Sequence, residues 1–596
     1  MPSPIVRRRF LQVAGGAGAA ASSSLAQQTP AQQTPVRRPN IVAILADDQG
    51  WGDLSVHGNT NLSTPNIDSL ARDGALFDRF YVCSVCAPTR AEFLTGRYHP
   101  RGGVRGVSTG QERLNTDEST IADTFRASGY RTAIFGKWHN GTQHPYHPNS
   151  RGFDEFYGFT HGHWGHYFSP ELDHNGKLVR GNGYITDDLT DHAIDFVRQN
   201  RRNPFFCYLA LNTPHSPMQV PGNYWMKYAE ADPKMRSHDT KRENIAMTRA
   251  ALAMCENIDW NVGRVLSQLR QMGLADNTIV LYFSDNGPNS WRWNGGMKGI
   301  KGSTDEGGIR SPLLMRWPGR IKPGTRVKQI AGATDLLPTL SEMAGVPKVG
   351  TKPLDGKSLK PLLLGESADW PDRMIFSLQR NRVSVRTQKY RLDPDGQLFD
   401  MDADPGQSTN VAQQQPEVAA RLLKAQKQWA SEMLPLVGAD DRPYPVGHAS
   451  LTLLPARDGV PHGGIERSSR HPNDSFFTNW KSKDDRMTWD IEVGEAGNYA
   501  VDLYYTCAAA DVGSTVELIF DGKTASGVIR VANDPPLVGA KEDRVERGES
   551  YVKDFQPLRL GTFSLNKKRG LLTLRASEIK ATQVADIRYV ALTRLR

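Results

Sequence analysis

Cysteine is scarce in this chain, with five in 596 residues: Cys83, Cys86, Cys207, Cys255 and Cys507. An odd, sparse set excludes a disulfide framework as the source of stability. Cys83 and Cys86 have the spacing of a redox or zinc half-site, but no second Cys-x-x-Cys and no paired histidines complete a zinc set. Apolar runs of about 20 residues, the length that spans a bilayer, are also missing, so no stable membrane insertion is expected. Nor is there a basic run interleaved with aromatics, which removes nucleic acid from the expected partners. Charge of one sign is only mildly in excess. The 73 Lys and Arg against 64 Asp and Glu give a formal charge of +9, which suits an anionic substrate. The length exceeds the ~250–300 residues at which single cores stop growing, so two or three domains are expected.

Residues 1–26 read as an export signal. Arg7-Arg8-Arg9-Phe10-Leu11 resembles a twin-arginine motif, a weakly apolar stretch runs from Val13 to Ala21, and Ser24-Leu25-Ala26 forms a small-residue cleavage site. Removing the three arginines lowers the formal charge of +9 by three, to +6. The expected location is periplasmic or secreted, by the twin-arginine route. Residues 27–38 repeat Gln-Gln-Thr-Pro and read as a linker.

Asn40–Ala46 is a nearly continuous apolar run ending in Asp47-Asp48. Thr278–Phe283 is another, ending in Ser284-Asp285-Asn286-Gly287, and Pro204–Leu211 a third, ending near His215. Runs apolar on both faces suit buried parallel strands. Each delivers polar groups at its carboxyl end, where open α/β sheets bind substrates. Between them lie helical patterns such as Ala246–Met272. The fold class is therefore α/β over 39–345. Residues 346–440 read as a smaller α+β part, with short strands over Met374–Asp400 and a helix over Pro416–Met433. Residues 441–596 carry short alternating segments and glycine turns, the pattern of an all-β sandwich.

The chemistry lies in five blocks. They are the acidic pairs Asp47-Asp48 and Asp285-Asn286; Cys86-Ala87-Pro88-Thr89-Arg90 continuing to Leu94-Thr95-Gly96-Arg97; Gly136-Lys137-Trp138-His139; Asn212-Thr213-Pro214-His215-Ser216-Pro217; and Lys301 to Arg310, with Glu306-Gly307-Gly308. Either acidic pair alone is more often a turn; two pairs ending apolar strands, beside the cysteine block, reverse that reading. Carboxylate and amide oxygens favour a hard cation, calcium more often than magnesium at a full-ligand site.

Taken in order over residues 39–435, these blocks resemble the signatures of the type I sulfatases. The resemblance implies an alkaline phosphatase-like fold: a central mixed, mostly parallel sheet, a small antiparallel subdomain, and here an added jelly-roll-like β domain similar to carbohydrate-binding modules. It implies that Cys86 is oxidised by a formylglycine-generating enzyme to formylglycine (3-oxoalanine), whose hydrate is the nucleophile, and that calcium is held by Asp47, Asp48, Cys86, Asp285 and Asn286. It gives Arg90 the task of holding the hydrate and Lys137 that of stabilising charge. His139 becomes a base, His215 the donor to the leaving oxygen and Lys301 a sulfate ligand, with Lys298 as runner-up for that last role. Histidine suits such roles because its pKa lies near neutrality.

The run His161-Gly162-His163-Trp164-Gly165-His166-Tyr167 reads either as an ordinary loop or as a substrate loop in which His161, His163, Trp164 and His166 contact sugar. Trp480, Trp489, Tyr504 and Tyr505 are sugar-platform candidates, or core. The expected reaction is hydrolysis of sulfate monoesters on a sulfated polysaccharide or oligosaccharide. Two rivals are a phosphodiesterase or phosphonate monoester hydrolase of the same superfamily, and a carbohydrate-binding protein with an inactive sulfatase-like domain.

Overall fold

The computed structural model describes residues 38–366 and 370–595. The segment expected to be an export signal and nearly all of the expected linker lie outside the described residues. Among those described, no helix is long and apolar enough to cross a membrane.

The apolar run Asn40–Ala46 forms the middle of a ten-stranded sheet, and all seven residues are buried. It pairs in parallel with Phe205–Ala210 on one side and Thr278–Ser284 on the other. Arg131–Lys137 and Glu155–Phe159 extend the parallel block beyond Phe205–Ala210. Antiparallel strands flank this block: Leu313–Arg316 against Thr278–Ser284, and the hairpin Glu171–His174 and Lys177–Arg180 at the far edge; Ala75–Phe77 and Thr325–Val327, paired in parallel, complete the other edge. The sheet is thus mixed with a parallel centre.

Period-two alternation sends the first strand's side chains into two cores. Val42, Ile44 and Ala46 join one face, while Ile41, Ala43 and Leu45 join the other. The first face is covered by Ile185–Gln199 and by the long helix Ile245–Gln271, whose Ala250, Met254, Ile258, Val262 and Leu266 are buried at helical spacing. The Asn244 side chain caps that helix by accepting from the Met247 amide at 3.1 Å. Cys86–Thr95 and Leu336–Met343 contribute to the second face.

Ile375–Gln379, Arg382–Arg386, Tyr390–Leu392 and Leu398–Asp400 form a four-stranded antiparallel sheet. The helix Pro416–Met433 lies on it through Leu422, Trp429 and Met433, with the Trp429 ring stacked on Phe376.

Residues 444–594 build two further sheets around one core. Arg486–Val493, Arg569–Glu578 and Thr515–Phe520 lie in one; Asp586–Arg594, Gly497–Thr506 and Gln556–Leu565 lie in the other. Neighbours among these run antiparallel, as alternating segments predict. Trp480 and Trp489 are fully buried between the sheets, so for them the core reading wins over the sugar platform. On Gly497–Thr506 the inward positions are Tyr499, Val501, Leu503 and Tyr505; Tyr504 points the other way, half-buried, 4.4 Å from the Tyr589 ring.

This sandwich is docked on the α/β part through buried charge. Arg457 donates to Glu112 and lies 3.0 Å from Asp458, which accepts from Gln143 Nε2 at 3.1 Å. Gln143 also donates to the Leu453 carbonyl at 3.0 Å.

Candidate active site

The parallel strands deliver their terminal residues to one place. Ala46 faces Ser284 in register, so Asp47-Asp48 and Asp285-Asn286 leave the sheet side by side. The Asp47 amide donates to the Thr213 carbonyl at 3.0 Å, which brings the segment after Phe205–Ala210 alongside. Asp48 and His139 both adopt positive φ, 63° and 58°. Non-glycine residues there are uncommon, with Asp and His among those that tolerate it, and such positions cluster at functional sites.

Cys86 is the first residue of Cys86–Thr95, a helix whose ten residues are all buried. Thr89 anchors it, its hydroxyl donating to the Asp285 carbonyl at 2.5 Å and accepting from the Cys83 amide at 2.8 Å. One turn on, Arg90 donates from Nη2 to Asp285 Oδ2 at 2.8 Å and from Nη1 to the Lys137 carbonyl at 2.7 Å. Burial works against the Arg90 charge, but Asp285 together with Tyr208, Asp47 and Cys86 outweighs it and keeps the guanidinium protonated. Burial pushes the Cys86 thiol above its ordinary pKa, so the unmodified side chain is a neutral thiol.

Asp47 Oδ2 accepts from Lys137 Nζ at 2.7 Å. Asp48 lies 2.8 Å from Lys301 Nζ and 3.5 Å from His215 Nε2, and accepts from Asn286 Nδ2 at 2.9 Å. The two aspartates consequently diverge. Burial and the neighbouring Asp285 push Asp47 well above the carboxylate range. For Asp48, burial is outweighed by His215, Lys301 and Lys137, which hold it low. Burial lowers His215 to about 4 against the pull of Asp48. His139 is also pushed down, by burial and then by Lys137; its Nε2 meets the Val107 carbonyl at 2.8 Å.

One ligand atom from each of Asp47, Cys86 and Asp285 lies within 4.8 Å of the others. Asp47 Oδ1 and Asn286 Oδ1 are buried with no hydrogen-bond partner. Buried oxygens left open in an acidic cluster fit a hard cation. Of the two candidate lysines, Lys301 reaches Asp48, whereas Lys298 turns to Asp305 at 3.7 Å. A second buried group, Cys83, Glu92 and His99, lies along the same helix, with Glu92 pushed up to about 8 by burial.

The histidine run divides. His163 stacks against His215 with ring centroids 5.9 Å apart. Trp164 stacks on Phe159 at 5.2 Å, with Arg588 of the sandwich 5.8 Å from its ring. His161 approaches Trp164, and His166 approaches Phe168. Tyr167, absent from the sequence-derived candidates, donates to the carbonyls of His215 at 3.0 Å and Ser216 at 2.9 Å. Also missed is the buried pair Arg292–Asp53, with Arg292 Nη2 donating to the Asp48 carbonyl at 3.1 Å. Neither carries a local motif. Glu549 and His471 of the sandwich line the same cavity as Asp48, His215 and Lys301, with a volume of about 320 Å³; no spacing in the sequence announces that contact.

A parallel sheet whose carboxyl edge gathers acids, lysines and histidines around a helix-starting cysteine defines a hydrolase for anionic esters. Residues 39–346 match the sulfatase family, and residues 301–432 match the C-terminal region of N-sulphoglucosamine sulphohydrolase. N-acetylgalactosamine-6-sulfatase of Mus musculus is 33% identical over 387 residues, covering 59% of this chain and 70% of that protein. Arylsulfatase A of Homo sapiens is 33% identical over 469 residues, covering 65% of this chain and 88% of the relative. The crystal structure of Ps i-CgsB in complex with k-i-k-neocarrahexaose superposes with a TM-score of 0.60 at 31% identity, covering 67% of this chain and 94% of that one. The chain belongs to the sulfatase family and is a sulfuric ester hydrolase.

Proposed function

We propose that this enzyme hydrolyses sulfate monoesters of a sulfated polysaccharide or oligosaccharide, with Cys86 carried as formylglycine and calcium beside it. The observation that carries the reading is the convergence of Cys86, Asp47 and Asp285 within 4.8 Å, with Lys137 and Lys301 paired to the two strand-end aspartates. The sugar part rests on relatives: one is an N-acetylgalactosamine-6-sulfatase, and another was crystallised with a neocarrahexaose.

Asp47, Asp48, Asp285 and Asn286 would hold the cation, which when bound withdraws charge from oxygens in the site. Formylglycine at Cys86 would supply a hydrated aldehyde as nucleophile. The remaining work falls to the chain's own side chains. Arg90, locked on Asp285, fixes the first turn of the cysteine helix. Lys137 and Lys301 bring positive charge to the spectator oxygens of the sulfate, stabilising charge where it develops. His215 Nδ1 lies 2.7 Å from the Ser216 carbonyl. That bond places the hydrogen on Nδ1 and turns Nε2 towards Asp48 and the pocket, where a proton taken up at Nε2, favoured by Asp48, would pass to the leaving oxygen. His139, held by the Val107 carbonyl, serves as base.

The test is the mass of the peptide containing residue 86, from protein purified out of its native host. An aldehyde mass at that position, with hydrolysis of a sulfated sugar, supports the reading; an intact thiol throughout removes the nucleophile. Export by the twin-arginine route rests on Arg7 to Ala26 and is tested by an exported form beginning at Gln27.

A further inference from the structure

Besides His471, the sandwich reaches the pocket through an irregular excursion, residues 529–555, between Lys523–Val528 and Gln556–Leu565. Three sets of bonds pin it. The Arg544 amide donates to the Met218 carbonyl at 3.0 Å, and its guanidinium to the Val220 carbonyl at 3.0 Å. Gln219 Nε2 donates to the Gly539 carbonyl and to Asp543 Oδ1, both at 2.8 Å. Arg547 donates to Asp543 at 2.7 and 2.5 Å and to the Gly165 carbonyl at 2.5 Å. The excursion is therefore fixed to the segment after His215 and to the histidine run, which Tyr167 already ties to His215.

So fixed, Val545–Glu549 lines the 320 Å³ cavity together with Asp48, His215 and Lys301, with Glu549 close enough to His215 for the two to interact electrostatically. Glu549 accepts from the Ser216 hydroxyl. A carboxylate has about four lone-pair sites, and that bond uses one. Arg547 is engaged by Asp543, which leaves Glu546 and Glu549 as the acids of this wall, with His471 as the nearby base. The pocket thus carries Lys301, suited to sulfate, while Val545–Glu549 offers carboxylate acceptors to whatever the sulfate is attached to.

We propose that Val545–Glu549 is the leaving-group wall of the active site, and that Glu549 selects sulfate esters carried on a hydroxyl-rich sugar with no second anionic group beside the scissile ester. This rests on the sulfatase reading above. Sugar hydroxyls donate to Glu549; a neighbouring sulfate or uronate meets Glu546 and Glu549 and is repelled, and specificity of this kind is a difference between affinities.

The experiment uses the full chain and three esters: 4-nitrophenyl sulfate, a singly sulfated neutral oligosaccharide, and the same sugar bearing a second anionic group. Glu549→Ala is expected to lower kcat/KM for the neutral sugar roughly 10- to 100-fold more than for 4-nitrophenyl sulfate, mainly through KM, as loss of a hydrogen bond to a charged acceptor implies. Glu549→Gln and Glu546→Gln, which cannot unbalance the fold by leaving a void, are expected to narrow the discrimination against the doubly charged sugar. Equal losses on the aryl and sugar esters, or unchanged discrimination in both Gln variants, overturn the proposal while leaving the sulfatase reading intact. A wild-type enzyme that hydrolyses none of the three overturns that reading itself.

Discussion

The floor and the outer wall of the pocket are held in place by different physics. Behind the floor of Asp48, His215 and Lys301, the residues Asp47, Lys137 and Asp285 stand at strand ends and Arg90 one turn into the cysteine helix, all fully buried and in contact with opposite charge. Their positions follow from parallel register. The wall residue Glu549 is half-buried on irregular backbone, and its place depends on a separate sandwich docked through Arg457 and the 529–555 excursion. The difference teaches that chemistry is fixed by the sheet, whereas choice of substrate is delegated to a part that can change without moving the catalytic groups.

The strongest way to break the comparison is through the floor. Cys86→Ser is expected to lower kcat at least ~10³-fold on every sulfate ester, as loss of a nucleophile does; steady multi-turnover hydrolysis by that variant would count against the proposed chemistry. Next comes Asp285→Ala, which strands the Arg90 charge in the interior. Breaking a buried pair from one side costs about 3–5 kcal/mol, so denaturant unfolding should shift by that much and bound metal, measured by elemental analysis, should fall with it. Retained stability would show that the floor is less dependent on paired charge than its geometry implies.

The docking joint is the next target. Arg457→Ala leaves Glu112 and Asp458 buried without their cation. A loss of about 3 kcal/mol should appear as an early unfolding phase of the sandwich, with sugar-ester activity lost at lower denaturant than aryl-ester activity. A single transition with both activities lost together would argue that floor and wall are one cooperative unit.

A further effect concerns pH. Burial raises Glu92 from 4.5 to about 8, opposed by hydrogen bonds from Cys83 and the His99 amide. The folded state therefore keeps a proton that the unfolded chain releases near 4.5. Stability is highest below that value and declines as pH rises towards about 8. Glu92→Gln carries no titrating group in either state and should flatten that decline in Tm between about pH 5 and 8; an unchanged slope would place the raised pKa elsewhere.

Much of this was legible in the sequence. Asn40–Ala46 and Thr278–Ser284 announce themselves as buried strands because both faces are apolar, and the acids after them mark the sheet's carboxyl edge. The cysteine block, Lys137, His139, His215 and Lys301 stand in short motifs, Lys137 and His139 at a strand end and His215 shortly after one. Arg292, Tyr167 and Glu549 do not. Arg292 acts on a backbone carbonyl, Tyr167 on backbone carbonyls of a distant loop, and Glu549 through a docking contact, none of which leaves a local pattern. Trp480 and Trp489 show the converse: aromatic residues that composition offers as a binding surface are consumed by the core, since a sandwich of this size must fill the space between its sheets.

The hydrogen bond from Ser216 to Glu549 spans 333 residues, and that distance has a meaning in time. A chain made from its N-terminus finishes the sheet and every floor residue long before the sandwich is synthesised, and domains generally fold as units in that order. For an interval the nascent protein holds the encoded residues of the floor before the outer wall has been made. Selectivity arrives last, with the segment that forms it.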